Sequence, residues 1–125
     1  MSDAPDAAGR NAALAQAWLD AFNAHDVEAV VALYAEACTH TSPKIRALHP
    51  DTDGKLVGKP ALAKWWHEAN ARLPGLRYEP TAIVAGDASV IIEYLRHAPN
   101  EPPMPVAESF DVVDGRIVAS RVYHG

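Results

Sequence analysis

The second half of the chain is a nearly unbroken series of strand signals. Residues 76–85, 88–98, 104–113 and 116–124 are rich in β-branched and aromatic side chains, and Gly86-Asp87, a proline-rich loop and Asp114-Gly115 separate them. Consecutive strands joined by short turns make an antiparallel meander. A meander with one apolar face must have another layer laid across it.

The first half supplies that layer. From Arg10 to Ala24, Leu14, Trp18, Ala21 and Phe22 recur at helical spacing, with Gln16, Asp20 and Asn23 off the stripe. Asn23-Ala24-His25-Asp26 interrupts the helix, and Asp26 is suited to cap a second one whose buried face carries Val27, Val30, Val31 and Tyr34. Cys38-Thr-His-Thr-Ser42 reads as a short strand ended by Pro43, and residues 43–57 as an exposed loop or lid. Gly58-Lys-Pro60 opens a third helix with Leu62, Trp65, Trp66 and Ala69 on its apolar side, and Pro74-Gly75 stops it. The expected architecture is α+β: three N-terminal helices packed on one face of an antiparallel sheet. Residues 1–9 are expected to be a disordered tail and residues 10–125 a single domain, in keeping with a length of 125 residues.

Composition narrows the partners. The chain is 49% apolar, but 24 of its residues are alanine, so bulky apolar side chains are scarce and their positions are informative. A net charge of −5 argues against a nucleic-acid partner, which would want a clustered basic face. No apolar run approaches the ~18 residues of a membrane span. Cys38 is the only cysteine, and the N-terminus lacks a signal-peptide pattern, so a cytoplasmic location is expected.

The final hairpin decides which side chains face the helices. A two-residue turn at Asp114-Gly115 pairs Val113 with Arg116 and sets Glu108 opposite Arg121. A three-residue turn pairs Val112 with Arg116 and sets Glu108 opposite Ser120. The three-residue register separates the faces better. It gathers Val106, Glu108, Phe110, Val112, Val118, Ser120 and Val122 on one side, and is the expected one.

Glu108 is then the only ionisable group in the middle of an apolar face. Desolvation raises the pKa of such a carboxyl, which suits it to general acid–base work near neutrality. It could equally be paired with Arg96 or Arg121. His40 shares a strand face with Cys38 and Ser42; if that face points inward it is a second proton carrier, and otherwise it marks an exposed strand end. His124 projects to the Glu108 side. Trp18, Tyr34, Trp65 and Trp66, with Phe110, are expected to wall an apolar pocket. No HxxxH, HExxH or CxxC spacing offers a metal site, and no glycine-rich loop follows a strand to hold a nucleotide, so neither metal nor cofactor is expected.

The order helix-helix-strand-helix-meander, with Phe22-Asn-Ala-His-Asp26, Leu33-Tyr-Ala-Glu36, Val57-Gly-Lys-Pro60 and Asp114-Gly-Arg-Ile117, resembles the nuclear transport factor 2-like superfamily. Within it, the SnoaL-like polyketide cyclase and ketosteroid isomerase branch is the most similar. The resemblance covers about residues 10–125. It implies a cone-shaped, cystatin-like α+β barrel with an internal pocket, a homodimer through the convex face of the sheet (Ile91, Leu95 and Ala119), and a small hydrophobic ligand. By the same resemblance, the isomerase's oxyanion-hole tyrosine falls at Trp18, its supporting tyrosines at Tyr34 and Trp66, its proton-shuttling aspartate at Ser42 and its protonated aspartic acid at Glu108. The implied function is general acid–base catalysis on a cyclic or carbonyl-containing molecule. Glu108 and His40 would be catalytic, while Trp18, Tyr34, Ser42, Trp65, Trp66, Phe110, Ser120 and His124 would contact substrate. A non-catalytic binding or interaction module of the same fold is the alternative.

Overall fold

A computed structural model describes residues 6–125. Helix α1 (Ala7–Asn23) begins earlier than its periodicity suggests, because Asp6 caps it by accepting from the Gly9 amide at 2.8 Å. Residues 7–9 of the expected tail are therefore helical, and residues 1–5 lie outside the described residues. Helix α2 (Val27–Ala32) starts at its Asp26 cap. It stops before Tyr34, which is the first residue of strand β1 (Tyr34–Thr41) and not a helical position.

The segment expected to be a loop is ordered. It holds helix α3 (Pro43–Leu48), a 3-10 turn at Pro50–Thr52 and strand β2 (Lys55–Val57). Its proline, Asp-Gly and histidines look like loop material, yet Pro43 sits where a helix tolerates it and Ser42 caps the helix. Helix α4 (Lys59–Arg72) follows, then strands β3 (Arg77–Ala85), β4 (Ser89–His97), β5 (Met104–Val113) and β6 (Arg116–His124).

The sheet order is β2-β1-β6-β5-β4-β3. The meander is antiparallel as expected, but β1 runs parallel to β6, so the sheet is mixed. Among the described residues four α-helices, not three, accompany it.

The hairpin corrects the expected register. Val113 pairs with Arg116 through a two-residue turn with Asp114 at φ 52° and Gly115 at φ 75°, the left-handed pair that such a turn requires. A bulge between Asp111 and Val112 then shifts the ladder, so Glu108 lies opposite Val122 and neither Ser120 nor Arg121. The bulge preserves the face separation that had favoured the other register. Val106, Glu108, Phe110, Val112 and Ser120 are all buried, and Ile117 takes the inward place expected of Val118.

The Asn-Ala-His-Asp motif is a set of fasteners. Asn23 donates to the Tyr78 carbonyl at 2.7 Å and accepts from the Tyr78 amide at 2.8 Å, as another strand would. His25, at φ 56°, reaches the Leu76 carbonyl at 2.8 Å. At the other end of α1, Asn11 donates to the carbonyls of Gly86 and Asp87 in the β3–β4 turn. The helix is thus tied to one edge of the sheet at both ends, and the core lies between them around Trp18, Leu19, Phe22, Ile92 and Phe110.

Candidate active site

The concave face of the sheet is built in rows. Ladder pairings align Val90, Phe110, Ser120 and His40 in one row, Ile92, Glu108 and Val122 in the next, then Tyr94, Val106 and His124, and finally Arg96 with Met104. Fully buried residues occupy the first rows and His124 is exposed, so the rows run from the closed end of the cone toward its mouth. Above them lies a cavity of about 60 Å³, lined by Trp18, His40, Trp65, Trp66, Tyr78 and Glu108 among others. That is room for about two waters, and the exposed side chains of Lys44 and Arg72 are part of the lining.

Glu108 is 1% exposed. Neither arginine holds it: Arg96 pairs with Glu101 at 3.2 Å, and Arg121 makes a two-pronged pair with Asp111 at 2.9 and 3.2 Å. Its one partner is Tyr94, whose hydroxyl donates to Oε1 at 3.0 Å, while Oε2 is buried with none. Burial pushes the carboxyl up to about 8, against a weaker pull downward from Tyr94. Glu108 is thus an uncharged acid at neutral pH. An aromatic column positions Tyr94: Phe22 stacks on Tyr78 at 4.0 Å and Tyr78 on Tyr94 at 4.1 Å between ring centres.

His40 is buried and its ring sits 5.2 Å from that of Trp66. Burial pushes it down to about 4, so it is neutral. Its Nδ1 lies 2.6 Å from Ser120 Oγ, which in turn lies 2.8 Å from the Tyr34 hydroxyl. Only one proton arrangement gives every buried hydroxyl of this chain an acceptor. Tyr34 donates to Ser120, Ser120 donates to Nδ1, and the imidazole proton resides on Nε2. His40 is then a neutral hydrogen-bond donor rather than a base.

The other expected site residues divide. Trp18, Trp65, Trp66, Ser42 and His124 line the cavity. Tyr34, Phe110 and Ser120 do not. They lie beneath its lining, where Phe110 packs on Trp18 at 5.3 Å and Tyr34 with Ser120 orients His40. Trp18 Nε1 is near the Tyr34 oxygen but makes no hydrogen bond of acceptable geometry. Ser42 spends its hydroxyl on the Lys44 amide at 3.2 Å, capping α3. Sequence reasoning missed Tyr94, Tyr78, Lys44 and Arg72. The first was within reach: Val90, Ile92, Tyr94 and Arg96 alternate on one strand face, and a strand that presents Ile92 inward also presents Tyr94.

The architecture is thus an α+β fold in which helices close a curved sheet, with an acid in its apolar interior. The chain belongs to the SnoaL-like domain family, which matches residues 15–120. No curated protein matches it significantly. Among solved structures it is similar to a SnoaL-like protein of unknown function from Burkholderia thailandensis, at 30% identity and TM-score 0.83 over 93% of this chain and 94% of that one. It shares the fold of a provisionally assigned ketosteroid isomerase from Kribbella flavida (20% identity, TM-score 0.79, 98% and 82% covered). It also shares that of TerC co-crystallised with polyporic acid (14% identity, TM-score 0.80, 93% and 92% covered).

Proposed function

We propose that the protein is a small-molecule enzyme of isomerase, cyclase or dehydratase type, acting by general acid–base catalysis on a carbonyl-containing substrate. One observation carries this reading: Glu108 lines the cavity with a buried, partnerless Oε2 and, among the described residues, makes no ion pair. Below its pKa the carboxyl offers a proton to a substrate oxygen, and His40 Nε2–H offers a second donor. Together they stabilise charge developing on a carbonyl as it becomes an enol or enolate. Once ionised, Glu108 can take a proton back. Trp18, Trp65 and Trp66 would hold the apolar part of the ligand.

The test is hydrogen–deuterium exchange α to the carbonyl, followed by proton NMR in heavy water over a panel of small cyclic ketones and β-dicarbonyls. Exchange faster than in buffer with the native protein, and lost in Glu108→Gln, is expected. Exchange that survives in Glu108→Gln would overturn the assignment.

A second reading is a binding module without turnover. Ser42 favours it, because the position corresponding to the isomerase's proton-shuttling aspartate carries a hydroxyl committed to a helix cap. The convex-face homodimer stays a proposal alongside either reading, supported by the exposed Val84, Ile91 and Tyr123 on that face. A monomer mass by light scattering would remove it. A cytoplasmic setting is proposed on the buried free thiol of Cys38; among the described residues no helix is long and apolar enough to cross a membrane.

A further inference from the structure

The charge distribution at the mouth of the cavity is opposite to that of the whole chain. A protein of net charge −5 lines this cavity with Lys44, Arg72 and Arg96, and among the described residues Glu108 is the only acid in the lining. Burial favours the neutral form of Glu108, which weakens any offset it gives them. Among the described residues neither Lys44 nor Arg72 has an acidic partner; Arg72 instead lies over the Trp65 ring at 5.9 Å. Partial burial disfavours protonation of His124, and Lys44 and Arg96 are close enough to add to that effect.

Arg96 is the most telling of the three. It is 7% exposed, and its guanidinium makes one hydrogen bond, from Nη1 to Glu101 Oε1, on a carboxylate that is itself well exposed. The rest of its fork makes no hydrogen bond within the protein, and none of its nitrogens is a buried atom without a partner, so the free N–H groups reach open space beside the cavity that Arg96 lines. The fork's planar donors match a carboxylate.

We infer that the mouth of the cavity binds the anionic end of the substrate, and that the ligand class is a small carboxylic acid whose apolar body reaches inward toward Glu108 and the tryptophans. This rests on the reading of the cavity as a ligand site but not on turnover. Arg96 and Lys44 hold the carboxylate, Arg72 flanks it, and the carbonyl to be polarised lies deeper, two rows further in beside Glu108. The electropositive rim also draws such anions to a protein that otherwise repels them.

Matched probes test this. Benzoate and benzamide have nearly the same shape and differ in charge, and each can be titrated into labelled protein while the tryptophan indole resonances are followed by ¹H–¹⁵N NMR. Benzoate is expected to bind about tenfold more tightly than benzamide, with the difference shrinking as salt is raised. Lys44→Glu, a surface change, should weaken benzoate severalfold and leave benzamide unchanged. Arg96→Gln should abolish most of the preference. If Arg96→Gln fails to fold, Lys44→Glu alone carries the decision. Equal or tighter binding of benzamide, no shift with either probe, or equal weakening of both in Lys44→Glu would overturn the inference. Glu108→Gln should still prefer benzoate, so a lost preference and a lost turnover are separate failures.

Discussion

Replacing Glu108 by glutamine should stabilise the protein, and by an amount that depends on pH. The substitution keeps the shape and the acceptor for the Tyr94 hydroxyl but removes ionisation. In the native protein the carboxyl stays protonated up to about 8, whereas in the unfolded chain it ionises near 4.5. Below 4.5 both states hold the proton and Glu108 adds no pH dependence. Between 4.5 and 8 the unfolded state releases it and the folded state does not, so stability falls as pH rises through that window. The full rise corresponds to about 5 kcal/mol, of which about 3 kcal/mol has been lost by pH 7. His40 works in the other direction. It is held neutral down to about 4 against an ordinary 6.5, so its contribution is present above 6.5 and is lost as pH falls toward 4. The two slopes oppose each other between 4.5 and 6.5, which leaves a plateau there and a decline above it. Urea unfolding of native protein and Glu108→Gln at several pH values isolates the Glu108 term as the difference between the two curves. That difference should grow by about 3 kcal/mol between pH 4.5 and 7. A constant difference across the window would mean that Glu108 ionises normally in the fold, and the acid would lose its claim to a tuned role.

Three further outcomes follow from the geometry. Ser120→Ala removes the link between Tyr34 and His40 and strands two buried polar groups, so a loss of about 1–3 kcal/mol is expected by denaturant unfolding. ¹⁵N shifts of the His40 ring should report a neutral imidazole protonated at Nε2 well below pH 6.5; a cationic ring at pH 6 would contradict the burial argument. Gly115→Ala should cost about 1 kcal/mol of thermal stability through backbone strain alone, because φ is +75° and a Cβ there meets nothing within 4 Å.

Much of the fold was legible because its signals are local. Asp26 caps, Pro60 at a helix start, the Asp114-Gly115 turn and the four strand segments act within a few residues of themselves, and each lies where its chemistry suggests. The burial of Glu108 was legible too, since a lone carboxylate among Val106, Phe110 and Val112 has one parity whatever the turn. What could not be read is non-local. The bulge that sets Glu108 opposite Val122 leaves no mark in composition. The isolation of Glu108 depends on where Arg96 and Arg121 find other acids, Glu101 and Asp111. The ordering of residues 43–57 was hidden because β2 is stabilised by pairing with β1 and not by its own three residues.

The fasteners at the two ends of α1 bear on how the molecule breathes. With Asn23 locked to the Tyr78 backbone and Asn11 to the β3–β4 turn, that side of the cone behaves as a seam. Opening that edge requires these hydrogen bonds to break first. Motion that widens a 60 Å³ space is therefore expected at the other edge of the sheet, where α3 carries Lys44. One of the side chains that would greet a ligand is thus on the flank left free to yield to it.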